Sequence, residues 1–400
     1  MKLLYTAVAA MLLQQSFGSI SNLVVPITAP VMVETLGLNP ALVGAYSLFT
    51  YGMGVFATLV CGSFIIRYGG LRVSQAAVLA SSAGLLIAIT GELWLMAIGA
   101  MLIGAGLMVS TPSSSHILAR HSPPKLAPLM FSIKQTGVPV GLMAGGLIIP
   151  FFIYLGGWQS AFLGVSLIGV IIAVTLQPLR HRFDDDRNPT HPFKSDEVWF
   201  NLRAVLRHGY LRKLAFASLT FVGLQGCFVS FFVLFLVQEL RFDLKTAGYI
   251  FSITQIAALF ARIFWGWLGS RYLSPSHVLA FLGFAMSLSA LILTFANPNW
   301  SAVVVTVVAS IVSGTALSWH GVLFAEIARY SPPGKVGPYT GSVLAFTAAG
   351  QMTIPALFGV SLATFKSYQY GFYFAAFLTL TAGILLLYRQ NTEPNSGHSF

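Results

Sequence analysis

Ala119-Arg120-His121-Ser122-Pro123-Pro124 returns as Ala328-Arg329-Tyr330-Ser331-Pro332-Pro333, an offset of 209 residues (328 minus 119). Gly62-Ser63-Phe64-Ile65-Ile66-Arg67 has a looser echo in Gly266-Trp267-Leu268-Gly269-Ser270-Arg271, an offset of 204 (266 minus 62). Every copy places a cation at the end of an apolar block. Those blocks run about twenty residues, the length that crosses a hydrocarbon core of about 30 Å. Cutting at charged or Gly/Pro/Asn-rich breaks gives twelve, near 4–31, 41–66, 72–91, 94–119, 127–153, 158–178, 212–238, 246–270, 276–296, 300–329, 336–364 and 367–388. The expectation is an all-α membrane protein, with twelve transmembrane helices in two pseudo-symmetric six-helix halves. The halves are residues 1–179 and 212–400, joined by a linker at 180–211.

Composition agrees with a membrane chain. Of 400 residues, 56% are hydrophobic and only 8% are Asp, Glu, Lys or Arg, where a soluble domain carries about 25%. Mean hydropathy is +0.79. Strand-length alternating segments are absent, which excludes a β-barrel. The formal charge of +11 is explained by where the cations sit. With the N-terminus inside, 17 of the 22 Lys and Arg fall on the cytoplasmic side: Lys2, Arg67, Arg72, Arg120, Lys125, eight in the central loop, Arg271, Arg329, Lys335 and Arg389. Arg241, Lys245 and Lys366 lie opposite, and Lys134 and Arg262 inside spans. That asymmetry predicts cytoplasmic termini in a bacterial inner membrane and removes nucleic acid as a partner. The first apolar block lacks a clear cleavage site and reads as an uncleaved span. Cys61 and Cys227 read as packing residues. The acidic run Asp184-Asp185-Asp186 reads as solvated linker charge.

Phosphate-cradling G-x-x-x-x-G-K-[ST], H-E-x-x-H and paired-carboxylate patterns are absent, so the sequence predicts neither an enzyme nor a bound cofactor or metal, and no ATP drive. Three permanently ionisable side chains lie inside spans, Lys134, Arg262 and Glu326, and each costs at least about 2.5–3.5 kcal/mol near a helix centre. Lys134 stands seven residues into the fifth span, about 10 Å deep, and Arg262 eight residues from the end of the eighth, about 12 Å. Glu326 is about one turn from the end of the tenth span. It reads as a gate residue paired with Arg271 or Arg329, or as a protonatable coupling group. His320 and His116 are further proton-carrier candidates, with a serine-bonded buried histidine as the plainer reading of His116.

Gly62-x-x-x-Ile66-Arg67-x-Gly69-x-x-Arg72 resembles the loop between the second and third helices of the major facilitator superfamily, usually G-x-L-x-D-R-x-G-R-R. Ile66 replaces the aspartate here, and Ser270 stands at the matching place in the second half. Gly137-x-Pro139-x-Gly141-x-x-x-Gly145-Gly146 is similar to an element of the family's antiporters, and Phe131 to Pro139 resembles a segment of small bacterial members. The resemblance covers nearly all of the chain. It implies that the fifth and eighth spans face one another, bringing Lys134 and Arg262 to one cavity. It also implies that the first, fourth, seventh and tenth spans surround that cavity, where Gln14, Asn22, Gln225 and His320 are the polar candidates. Gly62, Arg67, Gly69, Arg72, Arg120, Arg271, Glu326 and Arg329 become the gating set.

Two cations without an acid at their depth call for an anion, and a substrate carboxylate supplies one. Ala261-Arg262-Ile263-Phe264-Trp265-Gly266 also resembles the substrate-arginine region of monocarboxylate and oxalate carriers. The expected function is therefore secondary transport of a small organic anion, a monocarboxylate, by alternating access, driven by a proton or substrate gradient. The expected protein is a monomer whose partners are that substrate and membrane lipid. An efflux carrier of amphipathic or drug-like compounds is the alternative within transporters. A receptor or channel reusing the fold is the alternative outside them.

Overall fold

A computed structural model describes residues 2–123, 130, 133–191, 203, 205–331 and 336–388. Among these, every regular element is helical. They are α1 (Lys2–Leu36), α2 (Leu42–Tyr68), α3 (Gly70–Ala88), α4 (Leu93–His121), α5 (Gly137–Leu176), α6 (Arg180–Phe183), α7 (Gly209–Gln238), α8 (Leu244–Arg271), α9 (Pro275–Leu293), α10 (Ala302–Ala316), α11 (His320–Tyr330), α12 (Val336–Phe365) and α13 (Tyr368–Leu387). Among the described residues, ten helices are long and apolar enough to cross a membrane, eleven with the bent pair Leu42–Thr58 and Val60–Tyr68 as one span. One of the ten, Ile133–Phe183, has 51 residues. At 1.5 Å per residue it would reach about 77 Å, over twice the hydrocarbon core. It breaks at Gly156 and Gly157, the latter at φ 77°, a left-handed turn that suits glycine alone. Two arms from that stretch make the count compatible with twelve crossings.

The chain forms two compact units, Met1–Ser195 with Asp243–Ser252, and Asp196–Phe242 with Ile253–Phe400. Small residues set the packing in both, because lipid is as apolar as a side chain and close backbone approach supplies the attraction instead. In the first unit a Cβ on Gly104 of α4 would sit 1.7 Å from the Thr50 carbonyl oxygen of α2. One on Gly141 of α5 would sit 2.3 Å from the Ser16 carbonyl of α1. The first unit also holds the start of α8, where Gly248 meets the Gly146 carbonyl of α5 and Ser252 donates to the Met143 carbonyl at 3.0 Å. In the second unit Gly350 of α12 seats against Leu219 of α7. The core of α7 is aromatic: Phe228 stacks on Phe232 at 4.5 Å, and Phe231 on Phe358 at 4.4 Å.

Candidate functional site

The first unit carries its polar groups on α1, α4 and the start of the fifth span. Gln15 accepts from Ser110 at 2.9 Å and Thr111 at 3.5 Å, tying α1 to α4. Asn22 donates to Tyr51 at 3.0 Å, and Tyr46 donates to the Asn22 carbonyl at 3.1 Å, tying α1 to α2. Asn22 is thus occupied in holding helices. Gln14 and Lys134 differ. Each is 1% exposed, and neither the Gln14 amide nor the Lys134 ammonium has a hydrogen-bond partner among the described residues. Such groups cost several kcal/mol in hydrocarbon unless something pairs with them.

The second unit places Arg262 at a break in the tenth span. Leu317 to Trp319 leave the helical path between α10 and α11, freeing carbonyls at the α10 C-terminus. Side chains collect them: Arg262 Nη2 donates to Leu317 at 2.8 Å, Trp265 Nε1 to Gly314 at 3.1 Å and Trp319 Nε1 to Ala316 at 2.9 Å. Ser318 returns a bond to the Ala258 carbonyl of α8 at 3.1 Å. A guanidinium at the negative end of a helix is favourably placed. His320 opens α11, stacked on Trp319 at 3.9 Å, and its Nδ1 has no hydrogen-bond partner among the described residues. Gln225 on α7 is buried, with its amide oxygen likewise unsatisfied among them.

Glu326 is fully buried. Its Oε1 accepts from Tyr210 of α7 at 2.9 Å and from the Ser276 hydroxyl of α9, and Arg329 Nη1 lies 3.9 Å from Oε2. Arg271 instead lies over the Tyr272 ring at 5.8 Å. Neither Tyr210 nor Ser276 was singled out by sequence. Ser276 lies in the Ser274-Pro275 helix start, a recognisable cap, but its reach to Glu326 depends on packing.

The first residue of the acidic linker run is not solvated, contrary to its sequence reading, whereas Asp185 and Asp186 are exposed. Asp184 is 5% exposed and accepts from the backbone N–H groups of Leu71 at 2.7 Å and Arg72 at 2.9 Å, capping α3. It can approach because Gly69 holds φ 99° with no side chain; a Cβ there would lie 2.2 Å from Asp184 Cγ. Arg120 pairs with Asp185 at 2.5 Å and Asp186 at 3.0 Å. His116 meets Asp186 at 2.8 Å, so its partner is a linker carboxylate and not a neighbouring serine. The Asn188 N–H closes on the Ile66 carbonyl at 2.7 Å. Burial pushes the Asp184 carboxyl above its usual range, and the two backbone hydrogen bonds oppose this. The Arg120 hydrogen bond pulls Asp185 below that range. Arg72 turns to Gln75 at 3.4 Å and Gln177 at 3.5 Å, and Arg67 lies over Tyr68 at 5.7 Å. Beside Gly62 a Cβ meets no described atom within 4 Å.

The geometry has counterparts. An uncharacterised MFS-type transporter of Mycobacterium tuberculosis is 22% identical over 332 residues, covering 79% of this chain and 69% of that protein. A bacterial homologue of the human lysosomal transporter Spinster superposes with a TM-score of 0.75 at 15% identity, over 96% of this chain and 95% of that one. A peptide transporter POT bound to sulfate gives 0.76 at 16%, over 95% and 93%. A POT family transporter bound to 5-aminolevulinic acid gives 0.75 at 14%, over 95% of each. These share the fold of a multi-pass, non-enzymatic membrane transporter. Residues 10–326 match the Major Facilitator Superfamily, and the chain belongs to it.

Proposed function

We propose that this transporter carries a small organic anion, a monocarboxylate, across a bacterial inner membrane by alternating access. Its halves would be residues 1–179 and 212–400, acting as a monomer with both termini and the 180–211 linker cytoplasmic. One observation carries the anion assignment: Lys134, buried inside the membrane, has no hydrogen-bond partner among the described residues. A cation in that setting is tolerable when a counter-charge arrives, and a substrate carboxylate is one. Arg262 supports the same reading, as its bond to the Leu317 carbonyl fixes a planar guanidinium, the shape that matches a carboxylate. Gln14 in the first unit, and Gln225 and His320 in the second, each carry an unsatisfied polar atom among the described residues that a polar ligand group would satisfy. The POT structures, in complex with sulfate and with 5-aminolevulinic acid, are consistent with that reading. Gly137 and Gly141 pack α5 on α1, which gives the Gly/Pro element of the efflux alternative a structural use.

The test is equilibrium binding of lactate and lactamide to wild type, Lys134→Gln and Arg262→Lys. Losing one charge-assisted contact costs about 1.5–3 kcal/mol, roughly tenfold to a hundredfold in affinity. Lactate should weaken by that factor while lactamide does not change. Equal lactate affinity in all three folded proteins would remove the anion assignment.

A further inference from the structure

α2 bends by 56° between Thr58 and Val60. It packs mainly on α4 and makes little contact with α3. The space left between α2 and α3 is a groove of about 280 Å³ that belongs wholly to the first unit. Ala57, Cys61 and Phe64 form its α2 wall, and Ala76 and Ala80 its α3 wall. Spacings of three, four and seven residues put each set on one helix face. Tyr68 and Arg72 stand at one end. Both are exposed, and Tyr68 carries Arg67 over its ring at 5.7 Å.

Length and polarity identify what fits. From Arg72 to Ala80 along α3 is about 12 Å, and from Tyr68 to Ala57 along α2 about 16 Å. Half of a hydrocarbon core of about 30 Å is one leaflet, the depth an acyl chain occupies. The groove therefore begins at the membrane surface and stops near the midplane. Its walls offer almost no hydrogen-bond partners, so water gains little there, whereas hydrocarbon is accommodated without loss. At the surface end Arg72 holds, among the described residues, two long side-chain contacts, 3.4 Å to Gln75 and 3.5 Å to Gln177, both to neutral amide oxygens. Its backbone N–H is already satisfied by Asp184, so the guanidinium is available to a phosphate. This end lies on the membrane face that the cation asymmetry makes strongly basic.

We propose that the α2–α3 groove is a phospholipid site, holding one acyl chain along Ala76 and Ala80 with an anionic headgroup phosphate on Arg72. An aromatic ring beside the headgroup, here Tyr68, suits the interfacial level. The bend in α2 would then be held open by lipid.

The test is native mass spectrometry of the full-length transporter purified in mixed phosphatidylglycerol and phosphatidylcholine micelles. Wild type should retain one phosphatidylglycerol through detergent exchange. An arginine near the surface is worth about 1 kcal/mol toward anionic lipid, so Arg72→Gln should cut the selectivity over phosphatidylcholine about fivefold. Ala76→Trp should fill the groove and release both lipids. Leu79→Trp, at a neighbouring exposed position on α3, should leave retention unchanged. Inorganic phosphate should not displace the lipid. Unchanged selectivity in Arg72→Gln, equal retention by the two tryptophan variants, or displacement by inorganic phosphate would each overturn the assignment.

Discussion

Removing the Asp184 carboxylate tests whether the linker is a structural part of the first unit. The side chain is 5% exposed and satisfies two N–H groups at the start of α3, Leu71 at 2.7 Å and Arg72 at 2.9 Å. Asp184→Ala loses an N-terminal cap, about 1 kcal/mol, and leaves a second donor unpaired, about 1–3 kcal/mol more. The sum is about 2–4 kcal/mol, which local-opening arithmetic converts to roughly 30- to 700-fold faster exchange. Hydrogen–deuterium exchange at Leu71 and Arg72, in the purified transporter at fixed pH, reads this directly. Asp184→Asn keeps one acceptor oxygen and should fall between. The amide of Asn188, bonded to the Ile66 carbonyl, should be released with them because the same segment carries both contacts. If protection at Leu71 and Arg72 changes less than threefold in Asp184→Ala, Asp184 is a spectator and the docking argument fails.

Acid should act on the same segment in two stages. A carboxyl raised by burial, as Asp184 is, costs stability when ionised, so acidification from neutrality toward the usual carboxylate range near 3.9 relieves that cost. Asp185 is depressed by Arg120, so its contribution is present above that range and lost as pH falls below it. Exchange at Asn188 should hold or slow down to about pH 4 and quicken below, with the quickening removed in Asp185→Asn; loosening already between pH 7 and 5 contradicts this. Gly104→Ala forces a Cβ to within 1.7 Å of the Thr50 carbonyl and should destabilise by about 1–3 kcal/mol or more, whereas Gly62→Ala should be silent; thermal melts compare them. Glu326→Gln keeps an oxygen for Tyr210 and Ser276 and should shift the inward/outward balance while preserving pH-dependent uptake. Loss of all proton dependence with exchange intact would make Glu326 the coupling group. A reporter fused within 180–211 should be cytoplasmic, and periplasmic activity there would refute the proposed orientation.

What could be read from the residues, and what could not, follows from the range of each interaction. Twenty-residue apolar blocks are local, so the spans, the family and the glycines that seat α5 on α1 are visible without coordinates. The partner of Arg262 is not, because it is a backbone carbonyl that every residue possesses. Leu317 to Trp319 contain neither Gly nor Pro, so nothing in the text marks the break that frees that carbonyl. Asp184 misleads for the opposite reason. Three consecutive aspartates look like solvated charge, and only the path of the chain after α6 brings the first of them beneath Gly69. His116 and Arg120 are similarly committed by a segment some seventy residues away.

The two units answer one electrostatic demand with different residues. The start of a helix presents unpaired N–H groups and a partial positive charge, so an anion stabilises it. In the first unit the third helix, α3, receives Asp184 on the N–H groups of Leu71 and Arg72. In the second its counterpart, α9, begins with Ser274 accepting from the His277 N–H, and Ser276 donates its hydroxyl to the buried Glu326. The repeat offset of 204 residues carries Arg72 onto Ser276, so the two carboxylates stand at equivalent helix starts. They arrive from unrelated places in the chain, one from the linker after the sixth span and one from the tenth span. The repeat therefore retains a charge at a position in space and lets its source move. Ile66 and Ser270, where the family's loop ordinarily has an acid, do not leave these helix starts uncompensated. With Ile66 in place of an acid, the carboxylate beside Arg72 is that of Asp184, which accepts from its backbone N–H.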